Sequence, residues 1–292
     1  MNHSQFVVRA GAKVRLKNYD PGFTGNFTGE EDAEESNAKS SAELAKYQDI
    51  LLAHETYAVL TLFQGIDGAG KDGTIKYVMS SADPQGCKVA MFKKPSDEEY
   101  KQLYLRRYME ALPDKGQIGI FNRSYYEHVV AERVHPEKLD EWKQPAENKV
   151  KGIWERRYRE INNFEQYLAD NGVHVLKFFL HLSKQKQVER LWERTELPEK
   201  KWKFSSSDIE ERGYWDENMK VYEDVLSKTS TKVAPWHVIP ADNRWFTCAA
   251  VSSVIVSTLR SLHSRYPTMS KEQREEMEKA QKTLARERKA TR

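Results

Sequence analysis

Tyr57 to Phe63 (YAVLTLF) is a continuous apolar run that leads directly into Gly65-Ile66-Asp67-Gly68-Ala69-Gly70-Lys71-Asp72. A short uninterrupted run of this kind reads as a parallel strand buried on both faces. The segment after it satisfies GxxxxGK and opens a helix predicted over Lys71 to Ser80. Strand, glycine-rich turn and helix in that order confine the chain to an α/β fold with a ligand crevice at the strand end. Glycines let the backbone wrap an anion, its N–H groups point inward, and the helix N-terminus adds a positive end. Gly68, Ala69, Gly70, Asp72 and Gly73 are therefore the predicted phosphate cradle, with Lys71 reaching the terminal phosphate. A strand-to-helix turn that binds nothing is the plainer alternative, but it leaves that lysine unexplained.

The alternation continues along the chain. Strands are expected at Lys88 to Phe92, Ile118 to Phe121, Val173 to Leu182 and Trp236 to Ile239. Helices are expected at Ser41 to Glu55, Asp97 to Ala111, Asn148 to Asp170, Lys184 to Arg194, from Ser207-Asp208 onward, and Phe246 to His263. Five strands alternating with helices predict a three-layer α/β fold with a five-stranded parallel sheet. Residues 1–38 read as an N-terminal arm, 39–267 as the main domain, and 268–292 as a polar C-terminal tail. The arm and tail serve assembly or are simply mobile.

Composition excludes several classes. Apolar residues make up 39% and charged residues 31%, a globular balance, and no stretch of eighteen apolar residues occurs. With no signal-peptide h-region, a cytoplasmic protein is expected. Cys87 and Cys248 are too few for a disulfide framework or a CxxC metal site. The net charge of +3 demands no polyanionic partner by itself, and no RNA-recognition signature is visible, so neither nucleic acid nor membrane is an expected partner.

Two positions sharpen the chemistry. Asp72 stands where a P-loop usually places the Ser/Thr that holds Mg2+, so Asp67 and Asp72 both border the cradle. Beside phosphate they repel unless a hard cation lies between, which makes Asp67 the better metal candidate. Asp72 serves equally as an acidic first-turn residue. After the strand Ile118 to Phe121 comes Asn122-Arg123-Ser124-Tyr125-Tyr126-Glu127. Strand ends of a parallel sheet converge, so this turn should face the P-loop, where Arg123 can neutralise a transferring phosphoryl group. A structural ion pair is the alternative reading of Arg123.

At this point the chain resembles the polyphosphate kinase 2 family, over roughly Val14 to Leu259. The resemblance rests on FQGIDGAGKDGTIK (Phe63 to Lys76), DPQG (Asp83 to Gly86), FNRSYYE (Phe121 to Glu127), RVHPE (Arg133 to Glu137), KKWKFSSSD (Lys200 to Asp208) and APWHVIPAD (Ala234 to Asp242). It implies a thymidylate-kinase-like P-loop core with a helical lid, here at about 190–215. It also implies transfer of phosphoryl groups between inorganic polyphosphate and nucleotides, with Mg2+ or Mn2+. Adenine nucleotides are the implied acceptors, with guanine nucleotides as an extension, and a homodimer or homotetramer is the implied assembly.

Asp67 and Lys71 match the family's P-loop aspartate and lysine, and Arg123 matches the arginine of its second motif. Many members carry Asp where this chain has Asn122. That variant, with Tyr126-Glu127, resembles the class III branch, which phosphorylates AMP as well as ADP. Asn122 removes a possible metal ligand, and Glu127 is the candidate replacement carboxylate. Arg190, Arg194, Lys200, Lys201 and Lys203 straddle Pro198 in the lid segment, which ends toward Asp208. Cations in series suit a chain of phosphates, and Lys93, Lys94 and Arg133 join them as phosphate-binding candidates. An ATP-dependent nucleotide kinase on the same fold and a non-catalytic nucleotide-binding module are the competing readings.

Overall fold

The computed structural model describes residues 1–145 and 152–290. Its centre is β1 (Ala58–Gln64), every residue of which is buried. Side chains of a strand alternate between faces. Ala58, Leu60 and Leu62 accordingly enter one apolar cluster, while Val59 and Phe63 enter the other. The first cluster holds Ile161, Phe164 and Leu168 of α5 (Ile153–Asp170) and Val225 and Leu226 of α8 (Trp215–Thr229). The second holds Leu44 and Leu51 of α1 (Glu30–His54), Val78 of α2 (Lys71–Val78), and Val251 and Ile255 of α9 (Arg244–Ser261). A sheet clad by helices on both faces is the three-layer arrangement expected.

β2 (Cys87–Met91), β3 (Ile118–Asn122), β4 (Val173–His181) and β5 (Trp236–Pro240) complete a five-stranded sheet of order β2-β3-β1-β4-β5. All pairings are parallel. Phe63 of β1 stands opposite Asn122 on one side and Phe178 on the other. The loops that follow β1 and β3 therefore emerge side by side. The remaining helices are α3 (Arg106–Glu110), α4 (Ala131–Val134), α6 (Lys184–Glu196), α7 (Ser206–Gly213) and α10 (Lys271–Ala290).

Three sequence expectations need revision. The first helix begins at Glu30 rather than Ser41, because Glu30, Glu31 and Asp32 favour a helix N-terminus. Residues before it do not hang free. Val8 N–H donates to Trp236 O at 2.9 Å, Val238 N–H donates to Phe6 O at 2.8 Å, and Phe6, Val8, Val14 and Leu16 are buried. This segment thus covers the β5 edge, which would otherwise expose unpaired backbone groups. The helix expected over Asp97 to Ala111 is broken into a 3-10 turn at Glu99–Lys101 and the short α3. The chain extends at Gln102, while Tyr100 packs on Trp142 and Tyr104 on His128, so tertiary contacts override local propensity. The segment from Ser207 onward is two helices, α7 and α8, divided at Gly213-Tyr214. The expected start of the helix at Asn148 lies outside the described residues; its described part begins at Ile153. The C-terminal tail is the exposed helix α10, with no buried residue.

Candidate active site

The loop between β1 and α2 is shaped by three glycines in the left-handed region: Gly65 (φ 151°), Gly68 (φ 86°) and Gly70 (φ 92°). Gly65 has little alternative, because a Cβ there would lie 2.9 Å from Leu180 O. Lys71 folds back over the loop and donates to Gly65 O at 2.6 Å and Ile66 O at 3.3 Å. Burial pushes its ammonium below the usual lysine range, with Asp67 pulling the other way.

Arg190 of α6 buttresses the loop from behind. Its guanidinium donates to the carbonyls of Gly68 and Ala69 at 3.0 and 3.1 Å, and to those of Ala241 and Asp242 at 2.6 and 3.1 Å. Gln187, one turn earlier, donates to Asp67 O at 2.9 Å. These bonds fix the loop to the end of β5.

The turn after β3 faces the loop. Arg123 takes the left-handed conformation (φ 63°), uncommon for a residue with a side chain, and donates its N–H to Phe63 O at 3.1 Å. Its guanidinium lies 3.1 Å from Asp67 Oδ1 and 3.7 Å from Glu127 Oε2. Glu127, and then Asp67 against the cost of burial, hold Arg123 charged well above its ordinary range. Asn122 Nδ2 donates to Asp72 Oδ1 at 2.6 Å, and Lys203 stands 3.6 Å from the other Asp72 oxygen. Burial alone would raise the Asp72 carboxyl, but Asn122, Lys203 and Lys71 together hold it below the usual range.

Over this floor runs a cleft of about 520 Å3. Its lining includes Asp67, Lys71, Arg123, Lys93, Lys94, Arg194, Lys200 and Lys203. Several of the cations are paired with carboxylates: Arg194 with Asp208, Lys200 with Glu193, and Lys94 with Glu141 at 3.0 Å. Among the described residues the side chains of Lys93 and Arg244 line the cleft without a hydrogen bond or ion pair. Burial and then its neighbour Asp67 raise the Asp208 carboxyl above its usual range.

A P-loop, a facing arginine and a row of cations thus share one cleft. A family model described as Polyphosphate kinase 2 matches residues 28–267. The chain belongs to the polyphosphate kinase 2 family. It is a phosphotransferase, a polyphosphate-dependent nucleotide kinase. It is 44% identical over 274 residues to the ADP-polyphosphate phosphotransferase of Rhodopseudomonas palustris, covering 94% of this chain and 95% of the relative. It is 41% identical over 265 residues to the AMP/ADP-polyphosphate phosphotransferase of Meiothermus ruber, covering 90% and 95%. Among solved structures, polyphosphate kinase 2 from Arthrobacter aurescens superposes with a TM-score of 0.82 at 36% identity, covering 90% of each chain.

Within this polyphosphate kinase 2 fold the sequence-derived residues divide into three groups. Asp67, Gly68, Gly70, Lys71, Asp72, Gly73, Lys93, Lys94, Asn122, Arg123, Arg190, Arg194, Lys200 and Lys203 all line the one cleft. Ala69, Glu127 and Asp208 stand behind it, each engaged with a lining arginine. Arg133 and Lys201 are not in the lining. Arg133 bonds Asp224 of α8 at 2.6 Å and Tyr158, which makes it a strut between α4, α5 and α8. Lys201 is exposed on the 3-10 turn Pro198–Lys203. Arg190, expected among the lid cations, spends its donors on backbone carbonyls. Sequence reasoning missed Arg244, Glu193 and Trp202 in the lining. Arg244 was findable, since it follows the β5 end as Lys93 follows β2.

A divalent metal generally accompanies phosphoryl transfer in this family. Among the described residues no cluster of three or more His, Cys, Asp or Glu could hold one unaided. The residues nevertheless fit a cation held partly by substrate, because Mg2+ is usually bound by one or two carboxylates plus phosphate oxygens. Asp67, crowded by Asp208, is such a carboxylate. Asn122 and Asp72 face each other, and Asp72 stands in the first turn of α2, as expected, with Gly70 at its N-cap.

Proposed function

We propose that the enzyme transfers the terminal phosphate of inorganic polyphosphate to AMP and to ADP, reversibly, with Mg2+ as the working metal and Mn2+ as a substitute. The single observation that carries this reading is the cleft itself. A P-loop floor continues into the cations Lys93, Lys94, Arg194, Lys200, Lys203 and Arg244, more positive charge than one terminal phosphate requires. Relatives named for ADP and AMP/ADP support the acceptors.

Lys71 and Arg123 clamp the phosphoryl group in flight, where charge spreads over its equatorial oxygens. Lys71 exchanges its carbonyl bonds for phosphate, and Arg123 exchanges Asp67 for it. The acceptor's terminal phosphate oxygen is already ionised at neutral pH, so no general base is needed, and positioning with charge neutralisation supplies the rate. Asp67 would hold Mg2+, which would supply further charge neutralisation at the phosphate. The segment of about 190–215 acts as the lid and holds the waiting chain. Guanine nucleotides as further acceptors, a cytoplasmic setting and a homodimer or homotetramer belong to the same proposal.

Incubating the protein with AMP, polyphosphate and Mg2+, without ATP, tests it. ADP followed by ATP should accumulate by chromatography, and chelation should stop both. A strict requirement for ATP as donor would favour an ordinary nucleotide kinase.

A further inference from the structure

Beneath the turn that carries Arg123 lies a charged network that no step of the transfer uses. Glu165 of α5 and Lys177 of β4 are both fully buried and pair at 2.6 Å. Lys177 satisfies all three N–H groups, on Glu165 Oε2, on Thr229 O at 2.6 Å and on the Tyr126 hydroxyl at 2.9 Å. Both Tyr125 and Tyr126 donate to the other oxygen, Glu165 Oε1, at 2.9 and 2.8 Å. The rings of Tyr126 and Trp236 wall the ammonium in at 5.3 and 5.2 Å.

Such a pair is a poor source of stability, because apolar residues of similar volume often serve as well or better. Its geometry does something else. Tyr125 and Tyr126 are two of the three residues between Arg123 and Glu127, the partners facing each other across the turn. Upstream, the turn is held by β3 and by the Arg123 N–H on Phe63 O. Downstream, two phenols fastened to one carboxylate oxygen hold it. Arg123 sits between these anchors in a left-handed conformation that its surroundings must enforce.

We propose that Glu165 and Lys177 are positioning residues for phosphoryl transfer: through Tyr125 and Tyr126 they hold Arg123 and Glu127 in register with the P-loop. The pair touches neither substrate. This inference rests on the reading of Arg123 as a phosphoryl clamp.

The test is steady-state kinetics with melting curves on three variants of the full chain. The double variant Glu165→Leu/Lys177→Met removes both charges together. Tyr125→Phe/Tyr126→Phe removes only the anchoring hydroxyls and keeps the ion pair. Arg123→Ala is the reference. The network variants should melt as cooperatively as wild type yet lose kcat by roughly ten- to a hundredfold, the scale of a misplaced catalytic group. KM for polyphosphate should change less than about threefold, because that is the work of the overlying cations. If Glu165→Leu/Lys177→Met does not fold, the tyrosine variant decides. Wild-type kcat in a folded network variant, with Arg123→Ala inactive, overturns this inference alone. Full turnover by Arg123→Ala overturns it together with the clamp it serves.

Discussion

The floor of the cleft and the segment over it are both rich in cations, but they hold them differently. On the floor, Lys71 donates to two backbone carbonyls and Arg190 to four. Above it, Arg194, Lys200 and Lys203 lean on the carboxylates of Asp208, Glu193 and Asp72. A carbonyl deep in a loop cannot leave, whereas a carboxylate is an anion that another anion can replace, and those of Glu193 and Asp72 are half-exposed. The same residue types are thus tied to backbone carbonyls in one layer and to replaceable anions in the other. Arg123 stands at the boundary, with a backbone fixed by the sheet and a guanidinium shared by two carboxylates.

The comparison breaks most sharply at that boundary. Arg123→Ala should cut kcat on the order of a thousandfold, as removal of a charge-stabilising arginine does in phosphoryl transfer. The melting temperature should scarcely move, because the side chain is 43% exposed.

How much of this was legible in the sequence follows the same division. The floor was readable because a strand, a glycine spacing and a lysine offset each require particular residues there. The five strands, the burial of β1, β3, β4 and β5, and the facing turn followed from short apolar runs and from the convergence of parallel strand ends. Arg190 was misplaced because a helix places its residues by tertiary packing; four carbonyls from two separate loops cannot be seen as a motif. Arg133 lies in a recognisable block, yet that block packs α4 against α8. The coverage of β5 by the N-terminal segment was hidden too, since Phe6-Val7-Val8 is too short an apolar run to read as an element and pairs with residues some 230 positions away. Asp72 was legible as an acidic first-turn residue of α2, whereas the amide that Asn122 donates to it comes from a separate strand end and no motif announces it.

Arg190→Ala should behave oppositely to Arg123→Ala. Four buried carbonyls lose their donor, so a destabilisation of about 3 kcal/mol is expected by chemical denaturation, with activity falling alongside. A stable but inactive Arg190→Ala protein would move that residue from scaffold to ligand.

The upper layer should yield smaller, graded effects. Arg194→Ala, Lys200→Ala and Lys203→Ala should each raise KM for polyphosphate roughly threefold to tenfold at low salt. Raising the ionic strength should shrink the difference, as screening does for exposed charges. KM for AMP should hardly change.

The smallest contrast concerns pH. Burial lowers the His237 imidazole from its ordinary 6.5 to about 4. Its neutral form is the native one, so the unfolded chain takes up the proton first. Stability that is complete above about pH 6.5 should fall as the pH drops toward about 4. His237→Gln should flatten the decline in melting temperature across that window.

The division between a floor that transfers and an upper layer that holds is tested most directly by Lys71→Ala, assayed with AMP, Mg2+ and polyphosphate and checked for folding by circular dichroism. The predicted result is a folded protein that still retains polyphosphate in a filter-binding assay but forms neither ADP nor ATP. Wild-type turnover by that protein would contradict the account.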